Sequence, residues 1–157
     1  MEFFGWLETT AIAATIRTVP WIYPALETMH YIGLAMLVGG IMLIDLRLLG
    51  FAGRLPLKPV IGLIPWVWAG FIVNAVSGSL IFVYGATSFS GNTAFRIKMV
   101  LMLLAGINAM IFTVAAARGG RAWLEAGSVP ASIRAVATAS FVLWLGVVTM
   151  GRWMAYI

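Results

Sequence analysis

Tyr31-Ile-Gly-Leu-Ala-Met-Leu-Val-Gly-Gly-Ile-Met-Leu-Ile44 is a run of fourteen residues without a charge. It is the middle of a longer apolar segment, from about 23 to 49. About 20 apolar residues rising 1.5 Å each cross a hydrocarbon core. The run therefore reads as a transmembrane helix. Asp45 and Arg47 close it, and Gly50 and Gly53 open the loop beyond. Gly33, Gly39 and Gly40 leave room for a neighbouring helix to approach closely.

Three further segments of the same kind follow, at about 60–86, 93–117 and 131–156. Composition agrees with them. Of the 157 residues, 62% are hydrophobic and 10% charged, against about 25% charged in a soluble domain. A single small core cannot hide that apolar excess, so lipid must cover it. Only helices satisfy every backbone polar group over spans of this length. The chain is therefore expected to be all-α: one integral membrane domain over 1–157, built as a four-helix bundle. Residues 2–18 mix Phe3, Phe4, Trp6, Leu7, Ile12 and Ile16 with Glu2, Glu8, Thr9, Thr10 and Arg17. They are expected to form a short amphipathic helix lying in the interface. Glu2 and Glu8 stand where a signal peptide would carry its basic residues, so this segment is not read as one.

Composition also sets exclusions. The chain has no cysteine, which excludes disulfides, thiolate metal sites, iron–sulfur clusters and covalently attached haem within it. The net charge of +5 comes from basic residues dispersed at span ends, where they meet headgroups or orient the chain. It does not indicate a nucleic-acid partner. Arg47, Arg54, Lys58, Arg118, Arg121 and Arg134 belong to the connections between spans one and two and between three and four. Arg17, Arg96, Lys98 and Arg152 belong to the other side. The excess predicts the first group in the cytoplasm and both chain termini outside. The uncharged loop at 87–92 agrees.

Glu27 and His30 are three residues apart in the first span, hence on one face of its helix, and His30 is the single histidine. Ionisable groups within a span are costly and invite a functional reading. A carboxylate beside an imidazole can orient the ring. His30 is a candidate haem ligand, copper ligand or proton carrier, with Glu27 tuning it. Antiparallel spans bring the starts of the first and third to the level of the end of the fourth. Lys98 and Arg152 then join the group, either to balance Glu27 or to hold an anion such as a haem propionate or a lipid phosphate. Their plainer reading is that long basic side chains snorkel to the headgroups. His30, likewise, can be a side chain that does no more than bond a neighbouring helix.

Nine methionines raise the possibility of Cu(I), which thioethers bind. Met29, beside His30, is the candidate, although most methionines fill gaps between apolar side chains. In the second span Asn74 and Ser77-Gly-Ser79 suit a helix–helix contact. Pro65 is expected to kink its start. Asp45 reads as an end cap and topology anchor, within reach of Arg118 or Arg121. Arg134 and Arg152 are five turns apart on a stripe with Thr138, Phe141, Leu145 and Thr149, expected to face the bundle. No Ser–His–Asp set, phosphate-cradling loop or acidic dyad is present, and the chain is not expected to be an enzyme by itself.

The run Glu27-Thr-Met-His-Tyr-Ile-Gly-Leu, with Gly39-Gly40 and Asp45-Leu-Arg-Leu-Leu-Gly50, resembles the opening of a family of uncharacterised small bacterial inner-membrane proteins. Asn92-Thr-Ala-Phe-Arg-Ile-Lys98, with Gly106 and Asn108, completes the likeness over nearly the whole chain. The same segments are similar to the copper-resistance D type membrane domain and to b-type membrane cytochromes, through His30 and Lys98. The additional histidines of those cytochromes are absent. The resemblance implies a multi-pass protein of the bacterial inner membrane. Three functional expectations stand side by side. One is an electron-transfer subunit linked to haem b through His30. Another is a copper-handling protein using His30 and Met29. The last is a non-catalytic structural or assembly subunit. The expected partners are the lipid bilayer and other membrane or periplasmic subunits, or further copies of the chain.

Overall fold

The computed structural model describes residues 2–118, 122–126 and 128–156. The described residues are helical almost throughout and contain no strand. Four segments are long and apolar enough to cross a membrane: Ile22–Leu49, Leu57–Tyr84, Thr93–Ala116 and Ala131–Trp153. The protein is a multi-pass membrane protein in a lipid environment.

The amphipathic N-terminus is two helices, α1 (Glu2–Glu8) and α2 (Ala11–Thr18). They are separated at Thr9–Thr10, where a single helix was expected. Thr10 is the reason. Its hydroxyl donates to the Leu7 carbonyl at 2.7 Å and accepts from the Ala13 N–H at 3.4 Å. It thus closes one helix and caps the next. The first span, α3 (Ile22–Leu49), ends at Gly50, whose φ of +97° suits a left-handed helix cap.

The second span is interrupted. A five-residue helix, α4 (Leu57–Ile61), precedes α5 (Ile64–Tyr84), which has Pro65 in its first turn. Proline lacks the N–H that a continuous helix would need there, so the break falls before it. The expected loop at 87–92 folds largely as a further helix, α6 (Ala86–Gly91). The third span is α7 (Thr93–Arg118), the basic connection holds α8 (Ala122–Ala126), and the fourth span is α9 (Ala131–Trp153).

Packing order follows small residues. α3 lies along α5 on one side and along α9 on the other, and α9 lies along α7. At the α3–α5 crossing, a Cβ on Gly33 would stand 2.7 Å from the Asn74 backbone N and 2.9 Å from the Gly70 carbonyl oxygen. Only glycine permits that approach. α5 and α7 do not pack along their lengths. They meet near one end, where Phe82 stacks on Phe95 with ring centroids 5.4 Å apart and Phe89 adjoins both. The fourth side of the bundle is therefore open below an aromatic closure.

The stripe expected to face inward on α9 faces outward. Arg134, Thr138, Thr149 and Arg152 are exposed, and Leu145 is 53% exposed. The buried stripe is instead Ile133, Ala137, Trp144 and Val147. The threonines misled because their hydroxyls donate to their own helix, Thr138 to the Arg134 carbonyl and Thr149 to the Leu145 carbonyl. Satisfied in this way, they need no partner helix and can face lipid.

Candidate functional site

His30 lies two turns into α3, on the face that meets α5. Its Nδ1 is 3.1 Å from the Asn74 carbonyl oxygen and 3.2 Å from Ser77 Oγ. A carbonyl oxygen can only accept, so Nδ1 must carry the proton. Ser77 is consistent with that. Its single hydroxyl proton goes to the Val73 carbonyl at 2.7 Å, with the Asn74 carbonyl at 3.2 Å, and its lone pair is left for Nδ1–H. The neutral ring is thereby held as one tautomer, with the lone pair on Nε2. No group is hydrogen-bonded to Nε2 among the described residues. The bond is returned from the other side, since Asn74 Nδ2 donates to the His30 carbonyl at 2.9 Å. Asn74 and Ser77 are buried at 6% and 0% exposure, so these partners are shielded from competing water.

Gly78 completes the seat. A Cβ there would lie 2.9 Å from His30 Cε1, so the ring lies against bare backbone. Lys98, on α7, is close enough for its charge to act on the ring. Its stem passes over Gly151 of α9, Nζ lying 3.7 Å from the position a Cβ would take. No carboxylate pairs with Lys98 among the described residues. His30 and Lys98 thus come from α3 and α7, with α5 and α9 beside them, at the end where Phe82, Phe89 and Phe95 close the open side.

The other expected members are placed differently. Glu27 lies beside the Tyr23 hydroxyl, and no hydrogen bond or ion pair joins it to His30 among the described residues. The orienting role expected of Glu27 falls to Asn74 and Ser77. Arg152 is exposed, donates to the Tyr156 hydroxyl at 2.8 Å, and lies over that ring at 5.2 Å. Met29 is 46% exposed. As the next residue it is turned about 100° round the helix from His30, and its thioether does not share the imidazole's setting. The described residues hold no group of three or more His, Cys, Asp or Glu side chains that could seat a metal ion.

Asp45 is not an end cap. It lies inside α3, is 4% exposed, and has the Ser140 side chain of α9 as its polar neighbour. The contact expected with Arg118 or Arg121 lies outside the described side chains. Asn108, named above only within the family likeness, donates to the Val136 carbonyl of α9 at 3.2 Å. At the other end the N-terminal helices are tied down by polar contacts. The Thr87 N–H donates to Glu8 Oε1 at 2.7 Å. Arg17 donates to the Tyr84 carbonyl at 3.3 Å and lies over the Tyr84 ring.

Four apolar spans around a half-buried, tautomer-locked imidazole define a small helical membrane protein with buried polar groups between its helices. Residues 3–157 match the family described as "Family of unknown function (DUF6644)", and the chain belongs to that family. No curated protein and no solved structure matched the chain.

Proposed function

We propose that the protein is an integral inner-membrane subunit of an electron-transfer assembly, in which His30 Nε2 would hold a haem b. The observation that carries this reading is the state of the imidazole. A metal-ligating histidine characteristically donates its other ring N–H to a backbone carbonyl or similar acceptor, which fixes the tautomer and raises the basicity of the ligating nitrogen. The Asn74 carbonyl and Ser77 hydroxyl do this for His30.

The charge beside the ring favours haem over a bare ion. A copper ion would find one imidazole, no second imidazole or carboxylate in place among the described residues, and the Lys98 ammonium nearby. A porphyrin brings four nitrogens and two anionic propionates, and Lys98 suits one of those anions. Met102, on α7 one turn from Lys98 and packed against the apolar cluster of Leu37, Ala105, Trp144 and Val147, is the residue of this chain that would hold it with His30. A partner subunit's histidine is the alternative. Bound haem supplies a one-electron carrier. This chain's residues orient the ligand, balance charge and, through the aromatic closure, limit water. The open side between α5 and α7 is where a partner subunit would complete the site.

The test is the optical spectrum of the protein purified from membranes in mild detergent. A Soret band is expected, lost in His30→Ala and retained in Met29→Ala. A colourless protein that also fails to take up added haemin overturns the reading. Stoichiometric Cu(I) binding lost in the Met29 and His30 variants would then favour metal handling. Co-purification at fixed stoichiometry with a larger assembly would favour a non-catalytic subunit.

A further inference from the structure

The buried polar group that the His30 site does not use is Asp45. It stands fifteen residues from His30 along α3, about 22 Å at 1.5 Å per residue, near the opposite end of the span. Its side chain is 4% exposed, and among the described residues its buried Oδ2 has no hydrogen-bond partner. The Ser140 hydroxyl of α9 is the polar side chain beside the carboxyl. Around this level the packing is apolar, from Ile44 and Leu48 on α3 and Ile133 and Ala137 on α9.

We propose that Asp45 and Ser140 form a proton-binding site within the membrane. A lone carboxylate in such surroundings lacks both the counter-charge and the donors that make burial of an ion tolerable. The described charged side chains of the neighbouring elements do not supply them. Arg47 gives its Nε to the Leu55 carbonyl. Arg54, Lys58, Glu125 and Arg134 are exposed. None of these bonds Asp45. The group is therefore at rest with a small cation on it.

The donor set selects the proton. A hard metal cation asks for about six oxygen ligands, and two side-chain oxygens of Asp45 with one of Ser140 fall well short. A proton needs one covalent bond and one acceptor. Ser140 is the side chain to receive it, since a hydroxyl both donates and accepts. One turn away on α9 the Val136 carbonyl takes the Asn108 amide at 3.2 Å. Polar groups of α3, α9 and α7 thus occur near one level, where the rest of the packing is apolar. Protonatable groups so placed in membrane spans mark proton routes.

The experiment is infrared difference spectroscopy of the full chain in lipid vesicles at neutral pH, in H2O and D2O. The expected result is a protonated-carboxyl carbonyl band that shifts on transfer to D2O, is missing in Asp45→Asn, and moves in Ser140→Ala, which removes the acid's partner. Ser140→Ala serves alone if Asp45→Asn does not assemble. A spectrum with carboxylate bands only overturns the proposal, whether the charge is then held by a basic residue of the 118–121 segment or otherwise. So does a band that fails to exchange in D2O, since a sealed acid is structural, or one that Ser140→Ala leaves unmoved. The proposal does not rest on the haem reading. A protein that stays colourless with added haemin yet shows an exchanging Asp45 band would end that reading and leave this one standing.

Discussion

Adding a single methyl group at Gly33 tests whether the α3–α5 crossing builds the His30 site. In Gly33→Ala the new Cβ would stand 2.7 Å from the Asn74 backbone N. Ordinary contact begins near 3.5 Å, so the two helices must separate by about 0.8 Å. Both close atoms are backbone, and no side chain can rotate away to absorb the shift. The same separation would carry His30 Nδ1 from 3.1 Å to about 3.9 Å from the Asn74 carbonyl, outside hydrogen-bond range. It would also stretch the Asn74 Nδ2 bond to the His30 carbonyl, now 2.9 Å. Overpacking costs about 1–3 kcal/mol, and each membrane hydrogen bond adds about 0.6 kcal/mol. A loss of about 2–4 kcal/mol is expected. Gly39→Ala is the control, because a Cβ there meets nothing within 4 Å. The assay is reversible unfolding in mixed detergent micelles, followed by circular dichroism. If Gly33→Ala unfolds at the same detergent fraction as Gly39→Ala, the crossing is not as close as described, and the orientation of His30 by α5 falls with it.

Three further outcomes are expected. Val147→Ala should destabilise by about 1–2 kcal/mol, whereas Leu145→Ala should stay within about 0.5 kcal/mol, because Val147 is 2% exposed and Leu145 53%. The reverse order would restore the stripe first read from the sequence. Asn108→Leu should cost about 0.6 kcal/mol for its one interhelical hydrogen bond, and a cost above about 2 kcal/mol would reveal partners beyond the Val136 carbonyl. Since the chain has no cysteine, single cysteines at exposed Gly91 and Arg54 can be labelled cleanly in sealed vesicles. They should react from opposite sides, with Gly91 reached from outside, and labelling from one side would refute the four-pass topology.

The site was partly legible before the fold was known. His30 is conspicuous as an ionisable group in an apolar run, and Asn74 and Ser77 stood out as polar residues in mid-span. Their pairing was not legible, since which residues of α5 face α3 depends on the relative rotation of two helices that are apolar nearly all round. Periodicity is weak in such helices. For the same reason Glu27 and Met29 were grouped with His30 by nearness in the chain, and the structure separates them. Glu27 turns to Tyr23, and Met29 toward the exposed face. Lys98 was placed correctly at the level of His30, because an even number of antiparallel passes sets depth whatever the rotation of each helix. Asp45 was misjudged because its nearness to a span end suggested a cap, while its burial depends on α9 passing directly beside it.

Length and apolarity determined by themselves that the chain has four segments able to cross a membrane, because the backbone's hydrogen-bonding demand in hydrocarbon admits helices and the segments are long enough to span it. Tertiary structure decided which face of each helix looks inward, and with it the partners of His30 and Asp45. Lipid and protein interior are almost equally apolar, so the pattern of greasy residues does not say which side is which. Close fit does, through glycines that let backbones touch and polar groups that find one another there.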